Sequence, residues 1–546
     1  MKKIVKMKWK LVFGLMSGFW GIAFGQVLTS SNLPIVVIDT EGRVIVDEPK
    51  TNVRLKIIHN GPGRTNNVAD AGNVYDGWAG FEFRGSSSQM FPKKSYGFEL
   101  RDAKGDNREV SLLGFPKDED WILFASYNEK SLLHNALAMK LARDLGMYAS
   151  RTHHVEVVIN GRYEGVYVLM EKIKRVEGRL GLAKISEQNN SGDALTGGYI
   201  FKIDKTTGSG GGAGWFSKIP SPTRNARIQY LYDYPKFDII TPQQRAYLQA
   251  KVDSAEAALN STDFRDPQRG YRRHYDGLSF ARIFLVNEVS RNVDGYRIST
   301  FFHKDRDSRG GKIKAGPAWD YDLAFANADY CDGWRYDGWS YLFGNVCASD
   351  NWQVPFHWKR MLEDPTFVAE LQDEYQRMRK GPWQTQRLFA YIDSLAGTLQ
   401  QAQQRNFQRW PVLGQYIWPN PRPVPTSWMG EIAELKLWLD ARLTWLDANM
   451  PGAITAVAPP NDGQTKVVVA PNPVLGEEAR LMIEVPRPME VFMEVFDAQG
   501  HLLHSKIEYL ASLQNERIVP ILGGAGIYFL RVHTPDEVVG QKVIKL

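Results

Sequence analysis

The apolar positions change their period along the chain. From about residue 30 they alternate with polar ones in short runs, "PIVVIDT", "VRLKIIHN", "GFEFRGSSS" and "SYGFEL", which predicts half-buried strands. The stretch "KSLLHNALAMKLARDLG" then sets Leu133, Leu137, Leu141 and Leu145 four residues apart, one face of a helix, with Gly146 where a C-cap belongs. Alternation returns in "VEVVINGRYEGVYVLMEKI", where Asn160-Gly161 is the favoured two-residue hairpin turn. From about 240 helical spacing prevails in "QQRAYLQAKVDSAEAAL", "YDGLSFARIFLVNEVSRNVDG" and "GEIAELKLWLDARLTWLDANM". Between the last two, "YRISTFFHKD" and "GKIKAGPAWDYDLAF" predict a hairpin. The expected fold class is α+β: a strand-rich lobe over about 30–235 with one helix, then a helical lobe over about 240–450 with a short β insertion. Roughly 430 residues are too many for one small core and suit a two-lobed domain spanning 26–452.

Beyond it, "MEVFMEVFDAQGHLLHSKI" and "GAGIYFLRVHTPDEVVGQKVIKL" read as paired strands of a small all-β sandwich over 467–546. The join, 453–466, contains the linker-like "APPNDGQ". At the other end, "MKKIVKMKWK" carries five lysines ahead of a fourteen-residue apolar run and "AFG", the pattern of a signal peptide over 1–25 that leaves Gln26 first. An uncleaved anchor is the alternative, although the run is short for a membrane span. No later run is long enough, so the mature chain is expected to have no transmembrane segment. Losing the leader's lysines lowers the formal net charge from +6 to +1, which removes any compositional case for a nucleic-acid partner. The two cysteines, Cys331 and Cys347, fall in one short region. In an exported chain a disulfide between them is expected, free thiols being the alternative, and their spacing matches no zinc motif.

Candidate chemistry centres on "GPAWDYDLAF", 316–325. Read as a strand, it puts Asp320 and Asp322 on one face among aromatic neighbours. A buried pair of carboxylates requires a cation opposite: a metal ion, an arginine or a lysine. Hard oxygen ligands suit magnesium, manganese or calcium; a buried ion pair explains the residues equally well. In "NEVSRNVDGYRIST", Asp294 lies just past a helix holding Asn287 and Glu288, where it can serve as a general base, a metal ligand or a helix-ending turn. "RGSSSQMFPKKSYGFEL" offers Arg84, Lys93 and Lys94 for phosphate, or a solvated basic edge, and "EKIKR" adds Lys172. His153-His154 read as surface residues on the strand before the Asn-Gly turn. The glycine-rich "TTGSGGGAGW", 206–215, lacks the Gly-Lys-Ser/Thr ending of a P-loop and reads as a flexible loop. "DRDSRGG" has Gly316 where a calcium loop needs glutamate, so it reads as a hairpin turn. Neither Gly-x-Ser-x-Gly nor HExxH occurs.

Taken in order, "FRGSSSQMFPKKSYGFEL", "DWILFASYNEKSLLHNALAMKLARDLG", "VEVVINGRYEGVYVLMEKIKR", "GGYIFKIDK", "NEVSRNVDGYRIST" and "PAWDYDLAF" resemble the CotH kinase family over about 30–450. Its members are secreted or spore-coat proteins with an atypical protein-kinase-like fold. The resemblance implies transfer of the ATP γ-phosphoryl group to serine or threonine of an unidentified secreted or surface partner protein, with magnesium or manganese. It implies Asp294 as the catalytic-loop aspartate and Asp320 and Asp322 as metal ligands. Lys94, then Lys172 and Arg84, are the candidates for the phosphates, and Trp319 and Tyr127 for stacking on adenine. The chain lacks the Gly-x-Gly-x-x-Gly, HRD and DFG signatures of ordinary protein kinases. A catalytically silent surface module, its aspartates holding calcium, therefore stands as the alternative. The segments "PNPV", "VFDAQG", "GIYFLRV" and "KVIKL" resemble the type IX secretion sorting domain of Bacteroidetes. That resemblance implies Sec export, outer-membrane translocation by the type IX machinery, and a secreted or cell-surface location; an ordinary carbohydrate-binding-like sandwich is the other reading.

Overall fold

The structure, a computed structural model, describes residues 27–207, 213–451, 465–485, 487–510, 514–535 and 538–546. The expected leader, the middle of the glycine-rich stretch and nearly all of the linker lie outside the described residues. The chain divides into two compact units, 1–452 and 453–546. No described helix is long and apolar enough to cross a membrane.

The alternating runs of the first unit close into a seven-stranded barrel. Its order is Ile35–Asp39, Thr51–Ile58, Tyr75–Arg84, Ser95–Arg101, Asp120–Phe124, Arg162–Glu171 and Thr152–Ile159. The ring shuts where Ile35–Ile38 pairs in parallel with Glu156–Ile159; the other pairings are antiparallel. Alternate side chains fill the interior, among them Val53, Leu55, Phe81, Phe98, Trp121, Val157 and Leu169. Each contributes about 1.5–3 kcal/mol by burial, and closure removes the unpaired edges that an open sheet exposes. The Asn160-Gly161 turn has φ of +51° and +76°, the left-handed pair that a tight hairpin needs.

The leucine-spaced segment forms the helix His134–Asp144. Gly146, at φ +77°, caps it by donating its N–H to the Arg143 carbonyl at 2.9 Å. This helix packs on the helix Gly277–Ser290. Asp276 caps the latter, accepting from the Ser279 N–H, and nearly all of its residues are buried.

A second sheet of five strands orders Gly214–Phe216, Gln229–Tyr234, Tyr199–Ile203, Thr300–Lys304 and Ile313–Ala315. It draws strands from both expected lobes: Tyr199–Ile203 pairs with Thr300–Lys304, with Ile203 opposite Thr300. That register brings Asp204 beside Ser299, at the edge of the site. "DRDSRGG" forms the turn between the last two strands. The helices Pro242–Asn260, capped by a Thr241–Gln244 box, and Trp428–Asn449, capped by Ser427, complete the unit's long helical segments with Pro365–Lys380 and Thr385–Leu399.

The second unit is all β. A three-stranded sheet (Lys466–Val469, Glu478–Glu484, Gln514–Pro520) and a four-stranded sheet (Met489–Asp497, Leu502–Leu510, Gly526–His533, Val538–Lys545) bury one shared core that includes Leu481, Ile483, Val491, Val495 and Leu530. Strict alternation in Glu478–Glu484, exposed then buried, is the pattern of a strand with one wet face.

Candidate active site

The helix Gly277–Ser290 stops because Arg291 turns left-handed, at φ +45°. The chain then doubles back: Asn292 N–H returns to the Asn287 carbonyl, and Asp294 N–H donates to Asn292 Oδ1 at 3.1 Å. Buried Glu288 secures this corner. Its carboxylate accepts from the Tyr296 hydroxyl at 3.0 Å and from the Ser340 and Tyr341 N–H groups at 2.9 Å each, and it pairs with Arg442 at 3.0 Å. Asp294 leaves the corner half-buried, its Oδ1 accepting from Arg297 Nη2 at 2.9 Å.

The "WDYD" segment is not a strand. Asp320 has φ +62°, in the left-handed region, and Phe325 and Ala326 follow at +52° and +70°. Tyr321 fixes this path. Its N–H donates to Asn135 Oδ1 at 2.9 Å, and its hydroxyl donates to Asn287 Oδ1 at 2.7 Å. The Asp322 carbonyl accepts from Asn327 Nδ2 at 2.8 Å. The two carboxyls converge all the same, close enough that each shifts the other's ionisation.

Two buried carboxyls so close favour the protonated form. Burial, then the charges of Asp320 and Asp294, hold the Asp322 carboxyl well above the usual carboxylate range. Burial, then Asp294 and Asp204, raise Asp320 as well. Asp322 is the more strongly raised of the two. Among the described residues neither carboxyl has an ion-pair partner within 4.0 Å. Asn292 Nδ2 donates to the Asp320 carbonyl, and the Ser299 hydroxyl to Asp320 Oδ2 at 3.4 Å.

Asp204 joins the group from the sheet. Its Oδ1 accepts from the N–H of Lys205 at 2.8 Å and of Ser299 at 3.4 Å, and Lys202 stands 3.3 Å from Oδ2. The sequence reading did not single it out, nor Arg297. Asp204 follows a strand whose five residues are all buried, and only its place as the first polar residue after that run marks it.

The other candidates separate into two sets. Arg84, at the end of a barrel strand, lies 5.3 Å over the Trp319 ring, and its charge acts on Asp320, so both stand at the carboxylate group. Trp319 also meets Phe301 edge-on at 6.2 Å. Lys172 is 3.6 Å from Asp120; burial, opposed by Asp120, lowers its pKa, and the charge of Arg84 lowers it further. Lys94 instead donates to the Gln89 carbonyl at 2.5 Å. Neighbouring Lys93 turns into the protein, donating to the Val166 carbonyl and Asn406 Oδ1, so this motif is no solvated edge at Lys93. Tyr127 lies between Phe91 and Trp410, with centroids at 5.4 and 5.8 Å. His154 is buried and bonds the Leu132 carbonyl at 2.8 Å rather than lying at the surface, because its ring points to the helix side of the barrel wall. Cys331 and Cys347 are joined, with Cα atoms 5.3 Å apart.

The tightest carboxylate trio among the described residues lies elsewhere, at Asp118, Glu119 and Asp120. Lys174 lies 3.0, 2.6 and 3.0 Å from the three groups, Arg179 lies 3.4 Å from Asp118 and Lys172 3.6 Å from Asp120, so three cations already balance the three carboxylates. The Asp320–Asp322 pair has no such ammonium. Its donors are hard carboxylate oxygens with no cation within 4.0 Å among the described residues, a set that fits a divalent cation such as magnesium or manganese.

A family model described as CotH kinase protein matches residues 81–446. The inner spore coat protein H of Bacillus subtilis (strain 168) is 22% identical over 291 residues, covering 52% of this chain and 69% of that protein.

Proposed function

Because the chain belongs to the CotH kinase protein family, we propose that it is a metal-dependent protein kinase, moving the γ-phosphoryl group of ATP to a serine or threonine of a partner protein. The observation that carries the reading is the convergence of Asp294, Asp320 and Asp322 with no cation within 4.0 Å of the pair among the described residues. Asp320 and Asp322 would hold magnesium or manganese, with Asp204 beside them. The cation, when bound, supplies neutralisation of the charge on the phosphates.

The chain's own residues supply the rest. Asp294 takes the acceptor hydroxyl's proton at its carboxylate, which Arg297 holds in one direction. Arg84, spread over Trp319, brings a delocalised cation to the same group, and Lys172, just past the barrel strand Arg162–Glu171, a second one. Arg84 and Lys172 are favoured over Lys94 for the phosphates, since the Lys94 ammonium is engaged by Gln89. Trp319 is favoured over Tyr127 for the base, since Tyr127 is enclosed by Phe91 and Trp410. Phosphoryl transfer needs positioning and charge neutralisation more than covalent help, and these groups provide both.

The secreted or cell-surface location is part of the proposal. It is supported by the leader-like start, by the likeness to a spore coat protein, and by the type IX-like segments in the all-β unit, which would serve as the sorting domain.

The test is incubation of the chain with γ-labelled ATP and magnesium or manganese, beside Asp320→Asn. Label on the protein or on casein, lost in the variant, supports the kinase. No transfer, together with no metal-dependent ATP binding by calorimetry, removes it and leaves a structural surface module.

A further inference from the structure

We propose that a pocket beside Asp294 receives a neutral carboxamide, the side chain of an asparagine or glutamine flanking the acceptor hydroxyl. The inference rests on the kinase reading for its acceptor, while the pocket itself stands on other observations. It has a volume of about 140 Å³, and its lining includes Asp204, Phe216, Arg227, Arg297, Trp352 and Gln353. Two of these also belong to the carboxylate site: Arg297 holds Asp294 at 2.9 Å, and Asp204 accepts from Ser299. An acceptor with its hydroxyl at Asp294 therefore brings a neighbouring residue to this pocket.

Two lining groups ask for opposite partners. Gln353 is 2% exposed, and its Nε2 donates to the Cys347 and Asp350 carbonyls, both at 2.9 Å. Those bonds fix the amide's direction, since the reverse would face Oε1 with two carbonyl oxygens. Gln353 Oε1 is buried and has no hydrogen-bond partner among the described residues, so a donor at the pocket floor would satisfy it. The exposed Arg227 guanidinium lies 3.5 Å over the Phe216 ring and forms no ion pair among the described residues, so it offers donors to an acceptor.

A carboxylate would satisfy Arg227 and leave Gln353 Oε1 opposed by negative charge. An ammonium group would suit Gln353 and meet the charge of Arg227. A carboxamide donates to one and accepts from the other without net charge. Its flat group also suits the aromatic rim of Phe216 and Trp352, which are 42% and 41% exposed.

The test uses the full chain and serine heptapeptides carrying Gln, Glu, Lys or Leu in turn at each position flanking the serine. Dissociation constants are read by calorimetry, with transfer from labelled ATP read in parallel. The expected result is a glutamine peptide bound about tenfold more tightly than its Glu, Lys and Leu counterparts at one position. Arg227→Met, on the surface, and Gln353→Met are each expected to reduce that preference to within about twofold. Equal binding of the four peptides, a preference for Glu or Lys, or no binding overturns the inference. Selective binding without transfer keeps it and removes the kinase reading instead; transfer to other proteins with unselective peptides removes the inference alone.

Discussion

Arg297 donates from Nη2 to Asp294 Oδ1 at 2.9 Å while its guanidinium lies 3.9 Å from the centre of the Phe343 ring. Its other nitrogens reach the Val293 and Trp352 carbonyls and Asp350 Oδ1. A side chain 2% exposed and held at so many points cannot swing away, so it fixes the direction of the Asp294 carboxylate.

Arg297→Lys keeps the charge but loses the planar fork. The turnover of the proposed transfer should fall by about 10²-fold with the KM for ATP changed by no more than about threefold, as misplacement of a base affects the chemical step more than binding. Arg297→Met, which strands Asp294 and Asp350, should lower stability by about 3 kcal/mol in urea unfolding. Unchanged turnover in the lysine variant would show that Asp294 needs no such support.

The raised Asp320 and Asp322 groups give a pH and metal dependence with a definite sign. In the metal-free fold this pair keeps a proton that the unfolded chain, at the ordinary value of 3.8, gives up. The pair's contribution to stability is therefore full below pH 3.8 and is lost as pH rises through the higher folded values. A divalent cation takes the proton's place, so its affinity grows with pH. At pH 7.5, magnesium should raise the melting temperature of the chain. Asp322→Asn should stabilise the metal-free protein on the order of 1 kcal/mol and abolish the magnesium shift. Scanning calorimetry with and without magnesium checks both, and a destabilised, magnesium-responsive Asp322→Asn protein would refute the metal role.

The Cys331–Cys347 bond encloses a segment that braces the site from outside. Within it, the Asp332 carbonyl accepts from Arg291, the Ser340 and Tyr341 N–H groups bind Glu288, and Phe343 underlies Arg297. Replacing both cysteines by serine should cost about 3 kcal/mol of unfolding free energy. It should lower transfer about tenfold with ATP affinity nearly unchanged, because Arg84, Trp319 and Lys172 lie on other elements. A loss of ATP binding as large as the loss of transfer would contradict this division.

Local signals carried much of this fold into the sequence. The Leu133–Leu145 spacing, Gly146 and the Asn160-Gly161 turn each act within a few residues, and each sits where its chemistry places it. Barrel closure depends on parallel pairing of residues 35–38 with 156–159, a contact over more than a hundred positions that no local pattern encodes. The "WDYD" run has the alternation of a strand, yet tertiary bonds from Tyr321 to Asn135 and Asn287 outweigh that preference and turn Asp320 left-handed. The two aspartates meet through that turn and not through a shared strand face. Arg84 and Trp319 were legible as site residues by type, but their stacking joins segments far apart in the chain.

Asp204 offers the sharpest separation of roles. Its charge helps to raise Asp320, and its Oδ2 already has Lys202 at 3.3 Å. If it acts only as a nearby charge, Asp204→Asn removes part of the attraction for the cation but eases ionisation of Asp320, so magnesium binding falls by about threefold at most, and less at mildly acidic pH. If it also lends an oxygen to the cation, the same change weakens magnesium binding by about 10-fold or more at every pH, the usual cost of losing a charged ligand or its immediate support. The position beside Ser299, whose hydroxyl touches Asp320, favours the second outcome. Magnesium titrations by calorimetry at pH 6 and pH 8 distinguish the two: a small loss in Asp204→Asn, smaller at pH 6 than at pH 8, would confine Asp204 to an electrostatic neighbour, and a loss of about 10-fold or more at both would place it among the groups that hold the metal.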